Sequence, residues 1–464
     1  MAVFLILPAL LLAAGVHVCF ASEEIPQASP AVQAAPAAAQ VAGEDAVRAG
    51  ETLTLARCIE IALRQNPAIV AAAHTVDANR SRVGQARAAY YPLVSASGGY
   101  SRSRTAAETS DHLTGLTTQT VTPTTGVYSG NVGLDQIIYD FGRTSSSVGL
   151  SKLLLDSSRS DLNTAQDTVI LDVKEAYYGI LQAGRNRDVA ADVIKQFQLH
   201  LDQAKGFYEV GTKAKIDVIK AEVDLSNAKL SLINAENALN IARLTLNNVM
   251  GTPDAPDYAV EDNLSFQPYA VTLDEATAKA FDNRPDLKSL AARRQAAEEN
   301  VSLQRSGYLP ILSGTANYTK LQTEVDTPSL LKTNYTESWD AGLLLTVPLF
   351  SGFLTRHQVA EAKSNLYVLR ANEESLRQQI LLGVRQAYLN LQAAEASIST
   401  AELAAKQARE NLDLANGRYA AGVGSPIEVS DAFATHVAAQ ASYTNALYSY
   451  RIAQANIEKA MGLR

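Results

Sequence analysis

The chain has 464 residues, 47% of them apolar, with a formal charge of −8. That acidic balance excludes nucleic acid as a partner, because phosphate binding needs a basic face. After the first segment no apolar run reaches the ~18 residues of a membrane-spanning helix, so any insertion into a membrane must use something else.

Residues 4–14 are nearly all apolar, and Cys19-Phe20-Ala21 precedes Ser22 as a small-residue cleavage site. This predicts a secretory signal peptide over 1–21. Its n-region has no Lys or Arg, and Val18 stands where a lipoprotein signal wants a small residue, which argues against lipidation of Cys19. Residues 22–50 are rich in Ala, Pro and Gln without periodicity and read as a flexible or surface-draped leader. Once the signal is removed Cys58 is the remaining cysteine, so no intramolecular disulfide forms. Its counterpart in the repeat described next is Ala276, so the reading is core packing.

From residue 51 the chain says everything twice. Thr54-Leu55 recurs as Thr272-Leu273, Asn66-Pro67 as Arg284-Pro285, Tyr90 and Pro92 as Tyr308 and Pro310, and Tyr100 as Tyr318. All keep one offset, the 218 residues from Pro67 to Pro285. A second block keeps the 211 residues from Gly211 to Gly422. It pairs Tyr139 with Phe350, Tyr177 with Tyr388, Tyr208 with Tyr419, and Met250-Gly251 with Met461-Gly462. The difference falls between Tyr100 and Tyr139, where the first copy has a longer Thr-rich loop. The domains follow: a first repeat over 51–251, a linker over 252–270 and a second repeat over 271–464.

Each repeat carries apolar residues at strict 3,4 spacing. In the second the series runs Ile380, Val384, Ala387, Leu391, Ala394, Ile398, Ala401, Ala405, Ala408, Leu412, Ala415, Tyr419. In the first it runs from Val169 to Ala204, interrupted at Arg187, and resumes after a turn from Val218 to Val249. A period of 3.5 predicts left-handed supercoiling, and the many seam alanines permit close approach. A helix over 143–206 spans about 95 Å, and the glycine-containing turns at 208–215 and 419–426 make antiparallel hairpins.

Between the helices the period changes to two, predicting strands over 93–102, 128–139, 311–320 and 339–350. Lengths near ten suit tilted transmembrane β-strands. Tyr90, Tyr91, Tyr139, Phe141, Tyr308, Trp339, Phe350 and Phe353 gather at the ends, as in an interfacial girdle. Four strands cannot close a barrel and lipid does not tolerate open edges, so several chains must share one barrel.

The ordered, duplicated motifs resemble the TolC family of outer-membrane factors over 53–464. Carrying the resemblance are Asn66-Pro67 and Arg284-Pro285-Asp286-Leu287, the Tyr-Pro-Leu and Leu-Pro-Ile strand starts, and the corners Ile138-Tyr139-Asp140-Phe141-Gly142-Arg143 and Pro348-Leu349-Phe350-Ser351-Gly352. The hairpin ends Tyr208-Glu209-Val210-Gly211 and Tyr419-Ala420-Ala421-Gly422 add to it. The resemblance implies a mixed α and β membrane protein. Four strands per protomer contribute to a shared twelve-strand transmembrane barrel in a homotrimer, and long antiparallel coiled-coil helices form an α-barrel below it. It implies a passive exit duct for efflux or type I secretion, set in outer-membrane lipid with its helices in the periplasm. A periplasmic adaptor and an inner-membrane transporter would open it. The alternative is a periplasmic coiled-coil structural or adaptor protein without a pore, which leaves the duplicated strand pairs unexplained.

No catalytic constellation, metal site or cofactor is expected. The six histidines are scattered, no phosphate loop or nucleophile elbow appears, and His436 falls where the first repeat has Leu225, a seam position. The hairpin tips are the candidate site. Asp217 and its partner Glu428 lie just past the turns, with Asp431 one i,i+3 step beyond Glu428. The alternative is a plain helix-start preference for acids, which accounts for Asp217 better than for the Glu428–Asp431 pair. The resemblance implies that Glu428 and Asp431 line the constricted periplasmic entrance, that Asp217 and Tyr419 belong to the network closing it, and that Val210, Gly211, Thr212, Ala421, Gly422 and Val423 dock an adaptor. Gly424 and Ile216 depart from the family pattern, which has Arg and Thr there. Lys213, Lys215 and Lys220 have no basic counterparts in the second tip, so the two tips differ in charge.

Overall fold

The computed structural model describes residues 47–104, 108–110, 117–119, 124–327 and 330–464. The signal peptide, most of the leader and most of the Thr-rich loop lie outside the described residues. In chain order come β1 (Thr52–Leu53), α1 (Leu55–Gln65), α2 (Pro67–Arg87), β2 (Leu93–Arg104), β3 (Glu108–Ser110), β4 (Thr117–Gln119) and β5 (Thr124–Tyr139). Then follow α3 (Arg143–Glu209), α4 (Lys215–Met250), β6 (Ala259–Val260), α5 (Leu273–Asn283), α6 (Pro285–Arg305), β7 (Ile311–Thr327), β8 (Leu330–Thr346), α7 (Leu354–Ala420) and α8 (Pro426–Ala460).

The repeated dipeptides are helix punctuation. Thr54 and Thr272 cap α1 and α5, their side chains accepting from Arg57 N at 3.2 Å and Glu275 N at 3.3 Å. Pro67 and Pro285 open α2 and α6, where a missing N–H costs nothing. Met250-Gly251 and Met461-Gly462 end α4 and α8, with both glycines at positive φ (76° and 69°). They also allow a close approach. A Cβ on Gly251 would lie 2.6 Å from Gln65 O, and one on Gly462 2.9 Å from Arg284 N. Each long hairpin is thereby locked onto the elbow between the two short helices of its own half. Asn66 Nδ2 donates to Val249 O at 2.8 Å, and Arg284 Nη1 makes the matching bond to Ala460 O at 3.4 Å.

α3 and α7 each run 67 residues, about 100 Å at ~1.5 Å per residue. The buried side chains of α7 from Ile380 to Tyr419 all belong to the predicted 3,4 series. Side by side, α4, α3, α8 and α7 pack in that order, and nearer the strands the order is α2, α3, α6, α7. The main core sits at the hairpin bases, where Ile61, Tyr177, Leu246, Met250, Tyr450, Ile457 and Met461 are almost fully buried. Cys58 is inside it, its thiol pushed up to about 12 by burial, a packing residue as expected. Tyr177 and Tyr450 donate to the carbonyls of Glu261 and Gln267 at 2.8 and 2.7 Å, pinning the connecting segment. Of the last leader residues, 47–50, three are exposed and one is anchored. Val47 is buried in this core and Gly50 N bonds Asp257 O at 2.8 Å, because an apolar side chain there finds the core edge.

The four long strands form one antiparallel sheet in the order β2-β5-β7-β8. They are longer than the sequence suggested, 12 to 17 residues rather than near ten. The last stops at Thr346 rather than at 350, since Pro348 offers no N–H to a ladder. Paired rows alternate in polarity. Ala96, Val132, Tyr318 and Trp339 line up across one face, while Ser97, Asn131, Thr319 and Ser338 line up across the other. Thr319 Oγ1 donates to Asn131 at 3.0 Å, and Asn317 to Asp340 at 3.1 Å on that polar face. The corners into α3 and α7 turn through left-handed pairs, Phe141-Gly142 and Gly352-Phe353. Asp140 holds the first, accepting from Gly142 N at 3.2 Å and from Thr144 N at 2.8 Å.

Candidate functional site

Both hairpins end in short turns, 210–214 and 421–425. In each, a glycine with φ near +77° follows the helix, Gly211 (76°) and Gly422 (79°). Gly211 N and Gly422 N bond the carbonyls of Tyr208 and Tyr419, at 3.0 and 2.9 Å. Thr212 N and Val423 N bond Phe207 O and Arg418 O, at 3.0 and 3.1 Å. The backbones are thus near copies, and Val210, Gly211, Thr212, Ala421, Gly422 and Val423 are all exposed.

Around that shared backbone the side chains diverge. Ser425 caps α8, accepting from Ile427 N at 3.1 Å, whereas Ala214 offers α4 no side-chain cap. Gly424 sits so close to the end of α7 that a Cβ would lie 2.7 Å from Tyr419 N. No side chain fits there without moving the turn, which accounts for glycine in place of the arginine that the resemblance led one to expect. Arg418 Nε stands 3.0 Å from Glu428 Oε1, an ion pair across the base of the second tip, both groups partly exposed. Asp431 is exposed and makes no ion pair among the described residues. Asp217 is half-buried in the first turn of α4.

Tyr419 joins the two hairpins. It is 1% exposed, and its ring lies 4.6 Å from His200 and 5.8 Å from Phe207 of the first hairpin. Lys213 Nζ stands 5.8 Å from the ring centre, within cation–π range. Its hydroxyl is buried and has no hydrogen-bond partner among the described residues. Burial first, then the charge of Asp217, pushes the Tyr419 hydroxyl above its usual range. Burial lowers His200, with Asp224 and Asp217 opposing and Lys220 adding to the effect. The site therefore brings Asp217 and Tyr419 into one neighbourhood and hands Glu428 to Arg418. Sequence reasoning passed over His200, Phe207 and Arg418. Phe197, His200, Ala204 and Phe207 repeat at 3,4,3 spacing, a second stripe beside the seam that carried the signal. His436 is a half-buried seam residue lowered by burial, as its position opposite Leu225 implied.

The sequence matches the outer membrane efflux protein family over residues 58–252 and 277–463, one match in each half. The chain belongs to that family. It is 28% identical over 310 residues to the outer membrane protein TolC of Salmonella enteritidis, covering 64% of this chain and 62% of that protein. To TolC of Vibrio cholerae it is 25% identical over 412 residues, covering 88% of this chain and 90% of that one. The fold superposes on the Campylobacter jejuni CmeC outer membrane channel with a TM-score of 0.70 at 19% identity, covering 88% and 85% of the two chains. Family membership places this efflux protein in the outer membrane, with its helical part in the periplasm.

Proposed function

We propose that three copies of this chain form a passive exit duct, a twelve-strand barrel continued by an α-barrel. One observation carries this reading: among the described residues, the sheet and the long-helix layer both end in flanks without a partner. In the sheet the flanks are β2 and β8, each paired on one side. β8 exposes Trp339, Leu343, Leu344 and Leu345. In the long-helix layer the flanks are α4 and α7. α4 exposes Ile216, Ile219, Val223, Leu230 and Ile233, and α7 exposes Leu382, Leu389 and Leu403 at multiples of seven. One lateral head-to-tail contact, β8 to β2 and α7 to α4, pairs the open sheet edges and covers the helix flanks together, and such a contact closes into a ring. Polar rows then face the lumen and apolar rows the lipid. A pore-free periplasmic coiled coil leaves that sheet without a role.

In this reading 51–251 and 271–464 are the two repeats, joined by the linker 252–270 and preceded by the signal peptide 1–21 and the leader 22–50. The duct works with a periplasmic adaptor and an inner-membrane transporter and does no chemistry of its own. The adaptor meets the exposed turns around Gly211 and Gly422, where glycine permits close backbone approach. Asp217, Tyr419, Glu428 and Asp431 form the entrance. Rings of acids there favour cations over anions. Since Arg418 offsets Glu428, Asp431 carries more of that field. Purified protein in a planar bilayer tests it. Cation-selective channels that lose their selectivity in Glu428→Gln with Asp431→Asn are expected; unchanged selectivity would refute the entrance assignment.

A further inference from the structure

Near the tips the two hairpins touch through a thin aromatic wall, and a cavity opens on one side of it. Phe197 of α3 and Phe433 of α8 stack with ring centres 4.6 Å apart. Both rings line a cavity of about 360 Å³ between α3, α4 and α8. Ala434 and Val437 of α8 make its apolar side, and Asp224 and Asn227 of α4 supply polar groups. The volume is within the ~300–1,000 Å³ of small-molecule sites, which pair apolar walls with a few polar groups.

Asp224 sets the charge of what can enter. It is half-buried, and among the described residues it makes no hydrogen bond or ion pair. Lys220, one turn earlier on α4, neither lines the cavity nor pairs with it. A carboxylate beside two phenyl rings and apolar walls is the complement of a cation carried on an aromatic or aliphatic body, the carboxylate taking the charge and the rings and walls the apolar part. We propose that this cavity is a binding site for small aromatic cations, which bridge the two hairpins. Because its walls come from both hairpins, an occupant ties them together and opposes their separation. That last consequence rests on the duct reading; the binding does not.

The test uses full-length protein in detergent and benzyltriethylammonium as the probe, followed by saturation-transfer NMR. Saturable binding is expected. Ala434→Phe fills an exposed-side position of the cavity and abolishes it, and Asp224→Asn weakens it about tenfold, whereas Glu222→Gln, on the exposed face of α4, leaves it unchanged. Circular dichroism confirms that each variant is folded. Absence of saturable binding, indifference to both cavity substitutions, or equal binding of the uncharged isostere (2,2-diethylbutyl)benzene overturns the proposal. In the bilayer, bound probe lowers channel opening in the parent protein and not in Ala434→Phe. Failure to conduct at all sinks the duct reading while the binding result stands.

Discussion

The two hairpin tips share a backbone and differ in nearly everything attached to it. Gly211 and Gly422 turn the chain with φ values of 76° and 79°, and the hydrogen bonds behind them correspond one for one. The first tip then spends its side chains on the other hairpin, with His200, Phe207 and Lys213 gathered around Tyr419. The second closes on itself, with Gly424 pressed against the end of α7 and Arg418 paired with Glu428. Duplication copied the scaffold, whose constraints are steric, and left the charges free to diverge. One tip provides the socket and the other the plug.

The sharpest way to break this comparison is to attack the part said to be common. Gly251→Val and Gly462→Val each place a side chain on a left-handed residue within 3 Å of backbone atoms in the α1–α2 or α5–α6 elbow. Each should lower stability by about 3 kcal/mol or more, read as a large fall in melting temperature of the extracted protein. Tolerance of one and not the other would mean that the halves are not equivalent where the backbone says they are.

At the tips the comparison predicts inequality. Gly424→Ala should cost about 1–2 kcal/mol locally, because the neighbour 2.7 Å away is backbone and cannot step aside. Lys213→Ala, at the matching position of the first tip, should stay within about 0.5 kcal/mol. Hydrogen exchange of the two turns measures both, and equal effects would erase the distinction.

A smaller effect is expected from pH. His200 is held below its ordinary 6.5 by burial against Tyr419, so both the packed and the freed forms are neutral above that pH. As pH falls below 6.5 the freed histidine takes a proton first, and the joint between the hairpins loses stability. Protection factors at both tips, which remove the pH dependence of intrinsic exchange, should therefore fall on acidification, and His200→Gln should flatten the profile. An unchanged profile in His200→Gln would assign the effect to other groups.

Much of this was legible in the sequence because its causes are local or periodic. The seam from Ile380 to Tyr419 follows from 3,4 spacing, and the Thr, Pro and Gly punctuation follows from capping chemistry. What escaped depended on distance in space. The reason for Gly424 is a contact with Tyr419 N that no spacing announces, and the Arg418–Glu428 ion pair exists only once the turn is built. His200 was hidden differently. The seam was followed through Leu201, one position on, so the 3,4,3 spacing of Phe197, His200, Ala204 and Phe207, the signal for a second packed face, went unread. The strand lengths escaped because β2, β5, β7 and β8 run on past their alternating segments into polar residues.

The central claim is that the unpartnered flanks of β2 and β8, and of α4 and α7, meet in neighbouring copies. The mass of the detergent-extracted complex tests it most directly. Three chains, and a loss of that species when Leu230, Ile233, Leu382 and Leu389 are together changed to Glu, is the predicted result. A stable monomer or dimer in the parent protein would contradict it.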